Sequence, residues 1–264
     1  MYLKKFTRII KVLLGFEVRR YQYFVTDTLL GVMSKIFYLL INLFFWWMVM
    51  DTGYNIQGWS YGDILVFIAF SELFYGMDNA IFSIISRFWR VIHSGSLDIH
   101  LTRPMDPRMR LILINIDYMG LLTTIITFVF LLMVSGKSFQ VVSILGGILI
   151  VLVANVILAF IRITLSYIAF WHGKMDAVTE IADSLSSFNK YPLVIMPKIA
   201  VVVMKFVVPF YFFSTFSAEL VIHHLDIQSF IIGIVGIGCN LIIWYGISTF
   251  VWKRGLKRYE SISG

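Results

Sequence analysis

The longest apolar stretch of the chain is residues 143–171, SILGGILIVLVANVILAFIRITLSYIAFW, in which the one charged residue is Arg162. An α-helix rises 1.5 Å per residue, so about 20 apolar residues cross the roughly 30 Å hydrocarbon core of a bilayer. This stretch is long enough to do so. It predicts a transmembrane helix and makes lipid part of the protein's solvent.

Five other stretches share its length and character. The six predicted spans cover residues 26–50, 64–85, 111–134, 143–171, 193–216 and 229–252. The 264 residues are 59% hydrophobic and 14% charged, with a mean hydropathy of +0.85, whereas about a quarter of a soluble domain is charged. The composition excludes a soluble or disordered chain. It predicts an all-α polytopic membrane protein with one transmembrane domain over residues 1–264.

The basic residues lie on alternate connections. Nearly all of the 22 Lys and Arg residues fall before the first span, between spans two and three, between spans four and five, or after the sixth, while Lys137 stands alone on the opposite face. Basic connections remain cytoplasmic, which places both termini in the cytoplasm and the protein in the plasma membrane. We therefore assign the net charge of +7 to the membrane surface and expect no nucleic-acid partner.

The first 25 residues predict a helix that lies in the headgroup layer. At 100° per residue its apolar and basic residues separate onto opposite faces. The apolar face carries Leu3, Phe6, Ile9, Ile10, Leu13 and Leu14, and the basic face carries Lys4, Lys5, Arg8, Lys11 and Arg19. The helix is either an anchor that sets topology or a lever that couples the first span to a partner. The sequence favours the anchor.

Ionisable residues inside the predicted spans form a second pattern. Four of them lie at similar depth, namely Lys35, Asp78, Asp117 and Arg162. Two others, Glu72 and Lys205, lie nearer the membrane centre. Charges in hydrocarbon are costly and face protein or water. They are either ion pairs that specify helix packing or a polar pathway or substrate site. The first interpretation is favoured because no proton-relay spacing occurs.

The connection between spans two and three predicts a short helix of its own. Gly95 ends a preceding helix, and Ser96 or Asp98 is suited to cap the next one. Leu97 and Leu101 are four residues apart and therefore share one face. Such a face suits either docking to another protein or resting on lipid headgroups; the residues alone favour the headgroups.

The sequence carries no catalytic or metal-binding motif of its own. Gly136-Lys137-Ser138 resembles the end of a phosphate-binding loop, but that motif requires a glycine where the chain has Leu131. Cys239 is the single cysteine, which excludes a disulfide framework and a multi-cysteine zinc site. The adjacent His223 and His224 fit a polar rim better than a metal site. We expect no metal, no cofactor and no enzymatic activity on this chain.

Three segments resemble the membrane subunit of bacterial type-2 ABC exporters. The first is Gly95-Ser96-Leu97-Asp98-Ile99-His100-Leu101-Thr102-Arg103-Pro104, similar to a Gly-x-Leu-Asp-x-x-Leu-x-Arg-Pro segment of that family. The second is Phe188-Asn189-Lys190-Tyr191-Pro192, leading to Val208-Pro209. The third is the tail from Trp252 to Ser261, with Gly264 close behind. With the six spans and the N-terminal helix, the resemblance covers essentially the whole chain.

The resemblance implies a permease that exports a substrate by alternating access. Two permeases, either two copies of this chain or this chain and a homologue, would form a twelve-helix unit with two copies of a separate ATPase, which would bind ATP and magnesium. The helix around 97–101 would be the coupling helix. Its apolar contacts would come from Leu97 and Leu101, its polar clamps from Asp98 and Arg103, and its rigid exit from Pro104.

Other classes of membrane protein remain as alternatives. A secondary transporter driven by an ion gradient would use the charged set of Glu72, Asp78, Asp117 and Arg162. A lipid-modifying enzyme would need a cluster near the headgroups, for which the candidates are His93, Asp98 and His100. A channel is the weakest of the alternatives, because no selectivity-filter sequence occurs. The transported substrate is not encoded in any motif.

Overall fold

The computed structural model of the chain describes residues 15, 19, 21–53, 56, 58–186, 190–193, 204, 210–222 and 227–259, and every regular element among them is helical. The α-helices are α1 (Val25–Asp51), α2 (Tyr61–Met77), α3 (Phe88–His93), α4 (Leu97–Leu101), α5 (Pro107–Ile114), α6 (Tyr118–Val134), α7 (Val141–Ser166), α8 (Ala169–His172), α9 (Asp176–Ser186), α10 (Thr215–Ile222) and α11 (Ile227–Arg258). The predicted N-terminal interfacial helix lies almost wholly outside the described residues, as does Lys205.

The long helices confirm an all-α multi-pass membrane protein. Four helical segments in the described part of the chain are long and apolar enough to cross a membrane: Val25–Asp51, Tyr61–Phe82, Val141–His172 and Phe230–Arg258. A fifth arises if α5 and α6 count as one span, although they meet at an angle of 71°. The predicted span 193–216 falls largely on residues outside the described ranges.

Helix α2 forms the centre of the bundle. Its residues from Asp63 to Ser71 are all buried, and it packs against α6, α7 and α10. Close approach depends on small residues, since lipid supplies no hydrophobic drive between helices. A Cβ on Gly76 would stand 2.0 Å from Thr124 Oγ1 of α6, and one on Gly147 of α7 would stand 2.7 Å from the Phe70 ring. Glycine is therefore required at both crossings.

The segment before α11 is a buried part of the bundle. Helix α10 begins at Thr215 and packs between α2 and α7. Ser217 is fully buried, and its hydroxyl donates to the Gly147 carbonyl at 3.1 Å. Residues 215–218 are small or apolar enough to enter the bundle, and this hydrogen bond satisfies the polar group that they bury.

The two ends of the bundle are stabilised by different contacts. At one end Ser60 caps α2, and Lys137 pairs with Asp63 at 2.9 Å, so the lysine of the apparent phosphate-loop motif has a structural role. The other end, which we call the basic end, carries residues 83–117, α8, α9 and the C-terminal part of α11. A second hydrophobic cluster built around Phe88, Tyr167 and Trp252 holds it together.

Candidate functional site

Two backbone irregularities meet between α2 and α6. Residues Asp78–Phe82 continue α2 as a π-helical turn, and residues 115–117 form a non-helical link between α5 and α6. The Asp117 N–H donates to the Ala80 carbonyl at 2.8 Å. Irregular backbone at membrane depth must have its polar groups satisfied by neighbouring protein. Each irregularity therefore supplies the hydrogen-bonding group that the other lacks.

The Asp117 side chain fixes the same junction. It caps α6 by accepting from the Gly120 N–H at 2.8 Å, and it also accepts from the Tyr21 hydroxyl. A Cβ on Gly120 would stand 2.6 Å from the Asp117 carboxylate, so the cap requires a glycine three residues later. Asp117 thus acts as a helix cap, and the two irregularities form one rigid corner.

An arginine links three helical elements beside this corner. Arg162 Nη1 of α7 lies 2.5 Å from Asp78 Oδ2 in the π turn, and its Nε lies 2.9 Å from Asp183 Oδ1 of α9. Arg162 and Asp78 are nearly fully buried, whereas the Asp183 side chain is 48% exposed. A buried guanidinium needs carboxylate partners to offset its desolvation. The central helices are therefore joined by charge to the helix at the basic end.

A cavity of about 870 Å³ opens next to this network. Helices α1, α2, α6, α7 and α9 all contribute to its wall. The described lining residues include four basic and four acidic side chains, namely Lys35, Arg87, Arg162 and Lys190 with Glu72, Asp78, Asp117 and Asp183. Lys35 donates to the Thr123 hydroxyl at 3.2 Å. The cavity is large enough for a drug-sized molecule and is balanced in charge.

Two tyrosines hold a lysine ammonium inside the cavity. Lys190 Nζ lies 5.1 Å from the ring centroid of Tyr38 on α1 and 5.7 Å from that of Tyr75 on α2. Both distances are within the range of favourable cation–π contact. Lys190 therefore reaches from the segment after α9 into the membrane-embedded part of the bundle.

The segment from Gly95 to Pro104 projects from the basic end. Gly95 adopts φ +71°, a left-handed conformation that favours glycine, and α4 follows. Leu97 is fully buried in the second hydrophobic cluster, while Ile99 and Leu101 are 60% and 42% exposed. The two leucines are therefore separated: Leu97 roots the segment, and Ile99 with Leu101 forms its exposed apolar tip.

The C-terminal end of α11 is fastened to this segment. The Tyr259 hydroxyl donates to the Gly95 carbonyl at 3.3 Å, and the Tyr259 ring packs on Phe170 at 5.9 Å between centroids. Burial, followed by its hydrogen bond with Asp98, raises the pKa of Tyr259 to about 12. The hydroxyl stays protonated at physiological pH and remains a donor.

Helix α5 is anchored to the same end by charged contacts. Asp106 caps it by accepting from the Arg108 N–H at 2.8 Å, and the Arg108 guanidinium lies 5.4 Å from the Trp252 ring centroid. The hydrogen bond from the Arg108 side chain holds the pKa of Asp106 below its usual value. Burial, and then the charge of Arg110, lowers the pKa of His100, whose Nδ1 lies 3.1 Å from Arg110 Nη1.

A comparison with known protein families identifies the chain. The family model for the ABC-2 family transporter protein matches residues 36–263, which include the projecting segment and most of the residues that line the cavity. The chain belongs to the ABC-2 transporter family. Comparisons with curated proteins and with solved structures gave no match. The resemblance seen in the sequence is thereby confirmed, and the protein is a permease subunit of a type-2 ABC transporter.

The permease brings together most of the intramembrane charges predicted from its sequence. Asp78 and Arg162 form an ion pair. Lys35 instead donates to the Thr123 hydroxyl, and Asp117 caps α6 by accepting from the Gly120 N–H. Glu72 lies in the cavity wall and makes no hydrogen bond or ion pair with any residue that the structure describes. Lys205, the other charge that the sequence places near the membrane centre, lies outside the described residues, so a pair with Glu72 stays a prediction.

Five side chains that line this permease site are not predicted by the sequence: Tyr38, Tyr75, Arg87, Asp183 and Lys190. Tyrosine in a membrane helix is common at lipid interfaces, so Tyr38 and Tyr75 gave no signal. Arg87, Asp183 and Lys190 lie in predicted connections, which the sequence places outside the spans. The one available signal was Lys190 itself, a lone cation just before an aromatic and a proline in Lys190-Tyr191-Pro192.

The candidates for a lipid-modifying enzyme do not converge in the permease. His100 is joined to Arg110, Asp98 to Tyr259, and His93 packs near Trp89 with ring centroids 6.4 Å apart. Among the described residues no group of three or more His, Cys, Asp or Glu side chains is suited to hold a metal ion. His223 and His224 lie outside that set.

Proposed function

We propose that this permease is the transmembrane half of an ABC exporter whose power comes from a separate ATPase subunit. Two permeases, each with six spans, would pair with two ATPases that bind ATP and magnesium. Residues 193–216 would supply the span that the described helices lack. Both termini and the basic end would face the cytoplasm of a prokaryotic cell, because the basic connections gather there.

The projecting segment carries this proposal. It presents the apolar Ile99 and Leu101 to the outside, next to the exposed Arg103 and Pro104. Exposed apolar side chains flanked by polar ones are typical of protein contact sites. The family resemblance assigns the same segment to the coupling helix. We therefore place the apolar contact with the ATPase on Ile99 and Leu101, and treat Leu97 as the root that positions them.

The segment is also built to transmit movement. Leu97 ties it to the second hydrophobic cluster, and Tyr259 ties it to the last helix of the bundle. A force applied at Ile99 would therefore reach α3 and α11 together. Rocking of these helices between inward-open and outward-open states would alternately expose the central cavity, as alternating access requires. The polar clamps of the contact would be Asp98 and Arg103.

Helix α1 offers the surface on which a second permease would pack. Most of its apolar side chains are exposed, and Trp46 is the one residue of α1 that is fully buried. Lipid covers such a surface as readily as protein does, because both are apolar. The observation is compatible with a homodimer and with a pair of related permeases.

The test of the proposal is co-purification of the ATPase. We expect the double variant Ile99→Asp with Leu101→Asp to lose the ATPase, because two charges would be desolvated in an apolar contact. Ile181→Asp is the matched control, since Ile181 is also 60% exposed but lies on α9, away from the projecting segment. Loss of the ATPase in the control as well, or undiminished pairing in the double variant, would remove the coupling assignment.

A secondary transporter is the second candidate, and the charged cavity favours it. Glu72 faces that cavity without a hydrogen-bond or ion-pair partner among the described residues, as a proton- or ion-coupled site would require. The energy source decides between the two. An exporter of the proposed kind needs ATP and its ATPase, whereas a secondary transporter works alone and stops when an uncoupler collapses the ion gradient.

A further inference from the structure

The surroundings of Lys190 have the chemistry of a receptor for cations. Its ammonium lies against the faces of Tyr38 and Tyr75, 5.1 Å and 5.7 Å from their ring centroids. Paired aromatic rings of this kind recognise alkylammonium groups of ligands as well as lysine side chains. The two rings come from different spans, α1 and α2, so the receptor exists only where these helices are held together.

A carboxylate completes the receptor. Glu72 lines the same cavity one helical turn before Tyr75 and is partly buried. Lys190 and Lys35 are the cations that attract this carboxylate. Lys35 itself donates to Thr123. Lys190 is therefore one of two cations that compensate the Glu72 charge.

The net charge of the cavity lining indicates which kind of ligand could replace the Lys190 ammonium. With Lys190 in place, the four basic and four acidic lining residues cancel. Arg162 is committed to Asp78 and Asp183, and Asp117 to its cap. Withdrawal of the Lys190 ammonium would leave one excess negative charge, centred on Glu72 and flanked by two aromatic faces. A monovalent organic cation matches that environment in charge and in shape.

We propose that Tyr38, Tyr75 and Glu72 form a binding site for an organic monocation, and that the Lys190 side chain occupies this site as a built-in competitor. The inference rests on the proposed transport function and adds to it a substrate class, an amphipathic amine or quaternary cation. Lys190 belongs to the connection after α9, so movement at the basic end withdraws the competitor. The site then becomes available as the permease changes state.

A size-matched pair of ions tests the proposal. Tetraphenylphosphonium and tetraphenylborate have the same shape and opposite charge, and their binding is measured to the full chain in phosphatidylcholine nanodiscs, with empty nanodiscs subtracted. We expect saturable binding of the phosphonium and none of the borate. If Lys190 fills the site about nine-tenths of the time, Lys190→Gln tightens phosphonium binding by roughly tenfold, because apparent affinity scales with the free fraction.

Further variants separate the parts of the receptor. Glu72→Gln should weaken phosphonium binding by at least about tenfold, and Tyr38→Leu should weaken it without any change in charge. Lys174→Gln is the matched control, since it removes an exposed lysine that does not line the cavity. Size-exclusion profiles and thermal melting confirm that each variant is folded. In Lys190→Arg the cation is kept, and affinity stays near that of the wild type.

Two results would overturn the inference. One is a Lys190→Gln protein that binds the phosphonium no more tightly than the wild type or the Lys174→Gln control. The other is equal binding of the borate. The nanodiscs contain no ATPase, so either result leaves the proposed coupling to an ATPase intact, and loss of ATPase pairing leaves the binding measurement intact.

Discussion

Arg162 of α7 and Asp78 of the π turn form a buried ion pair, with 2.5 Å between Nη1 and Oδ2. The pair lies where α2 departs from regular α-helical hydrogen bonding, and Asp183 of α9 approaches the same guanidinium at 2.9 Å. A charged contact at an irregular point of a membrane helix fixes the geometry of that point. It also makes the central helices sensitive to the position of α9.

The three charges of this network should contribute unequally to stability. Arg162→Gln leaves the buried Asp78 without its cation and should cost about 3–5 kcal/mol. Asp183→Asn should cost about 1 kcal/mol or less, because Asp183 is half exposed and Arg162 keeps Asp78. Denaturant unfolding of the purified variants in detergent measures both. Equal losses, or a harmless Arg162→Gln, would contradict this account of the network.

The hydroxyl of Tyr259 should control the order of the projecting segment. Tyr259→Phe keeps the ring on Phe170 but removes the hydroxyl, whose one hydrogen serves the two acceptors Gly95 and Asp98. We expect faster amide hydrogen exchange over residues 95–101 and a loss of about 1 kcal/mol of local stability. Because the pKa of Tyr259 is about 12, the difference should not depend on pH in the neutral range.

Tyr245→Phe is the control for this prediction. Tyr245 lies on the same helix, α11, and its ring is exposed while its hydroxyl makes no hydrogen bond to the described residues. The same atom is removed without a partner being lost. If exchange over 95–101 is unchanged in Tyr259→Phe, or if Tyr245→Phe changes it equally, the hydroxyl does not fasten the segment.

Two glycines of α11 should respond differently to the same substitution. A Cβ on Gly233 would stand 2.0 Å from Phe216 Cζ, whereas one on Gly238 would meet nothing within 4 Å. Phe216 is enclosed by the rings of Tyr211 and Phe212 and has little room to move. We expect Gly233→Ala to lower the unfolding free energy by about 1–3 kcal/mol.

The Gly238→Ala variant is the internal standard for Gly233→Ala. It should be neutral or stabilising by up to about 1 kcal/mol, because alanine favours helix over glycine. Thermal melting of both proteins in one detergent makes the comparison. A Gly233→Ala protein as stable as Gly238→Ala would show that Phe216 yields to the added methyl group.

The sequence predicts the helices of this protein better than their interruptions. Apolar length predicts α1, α7 and α11 to within a few residues at most ends, since lipid imposes a strict length requirement. Neither the π turn over 78–82 nor the break at 115–117 before α6 itself contains a proline or a glycine. These irregularities depend on a hydrogen bond between Asp117 and Ala80, residues distant in sequence, which no local pattern encodes.

The candidate site shows the same division. The charges that line the cavity are visible in the sequence because ionisable residues are rare in apolar spans. The residues with which these charges pair cannot be predicted from the sequence. Helical spacing puts Leu97 and Leu101 on one face, yet tertiary packing buries Leu97 in the second hydrophobic cluster and leaves the exposed tip to Ile99 and Leu101. Periodicity gives a face, and neighbouring helices decide which part of it stays exposed.

We expect this permease to change state only when an ATPase works on it. The most direct measurement places a cysteine on the cavity wall by Thr127→Cys, with Cys239→Ser removing the native thiol. Its rate of labelling by a membrane-impermeant maleimide is followed in proteoliposomes. We predict a several-fold change on addition of ATP when the co-purifying ATPase is present, and none when the permease is alone or when only an ion gradient is applied. A labelling change driven by a gradient in the permease alone would contradict the account.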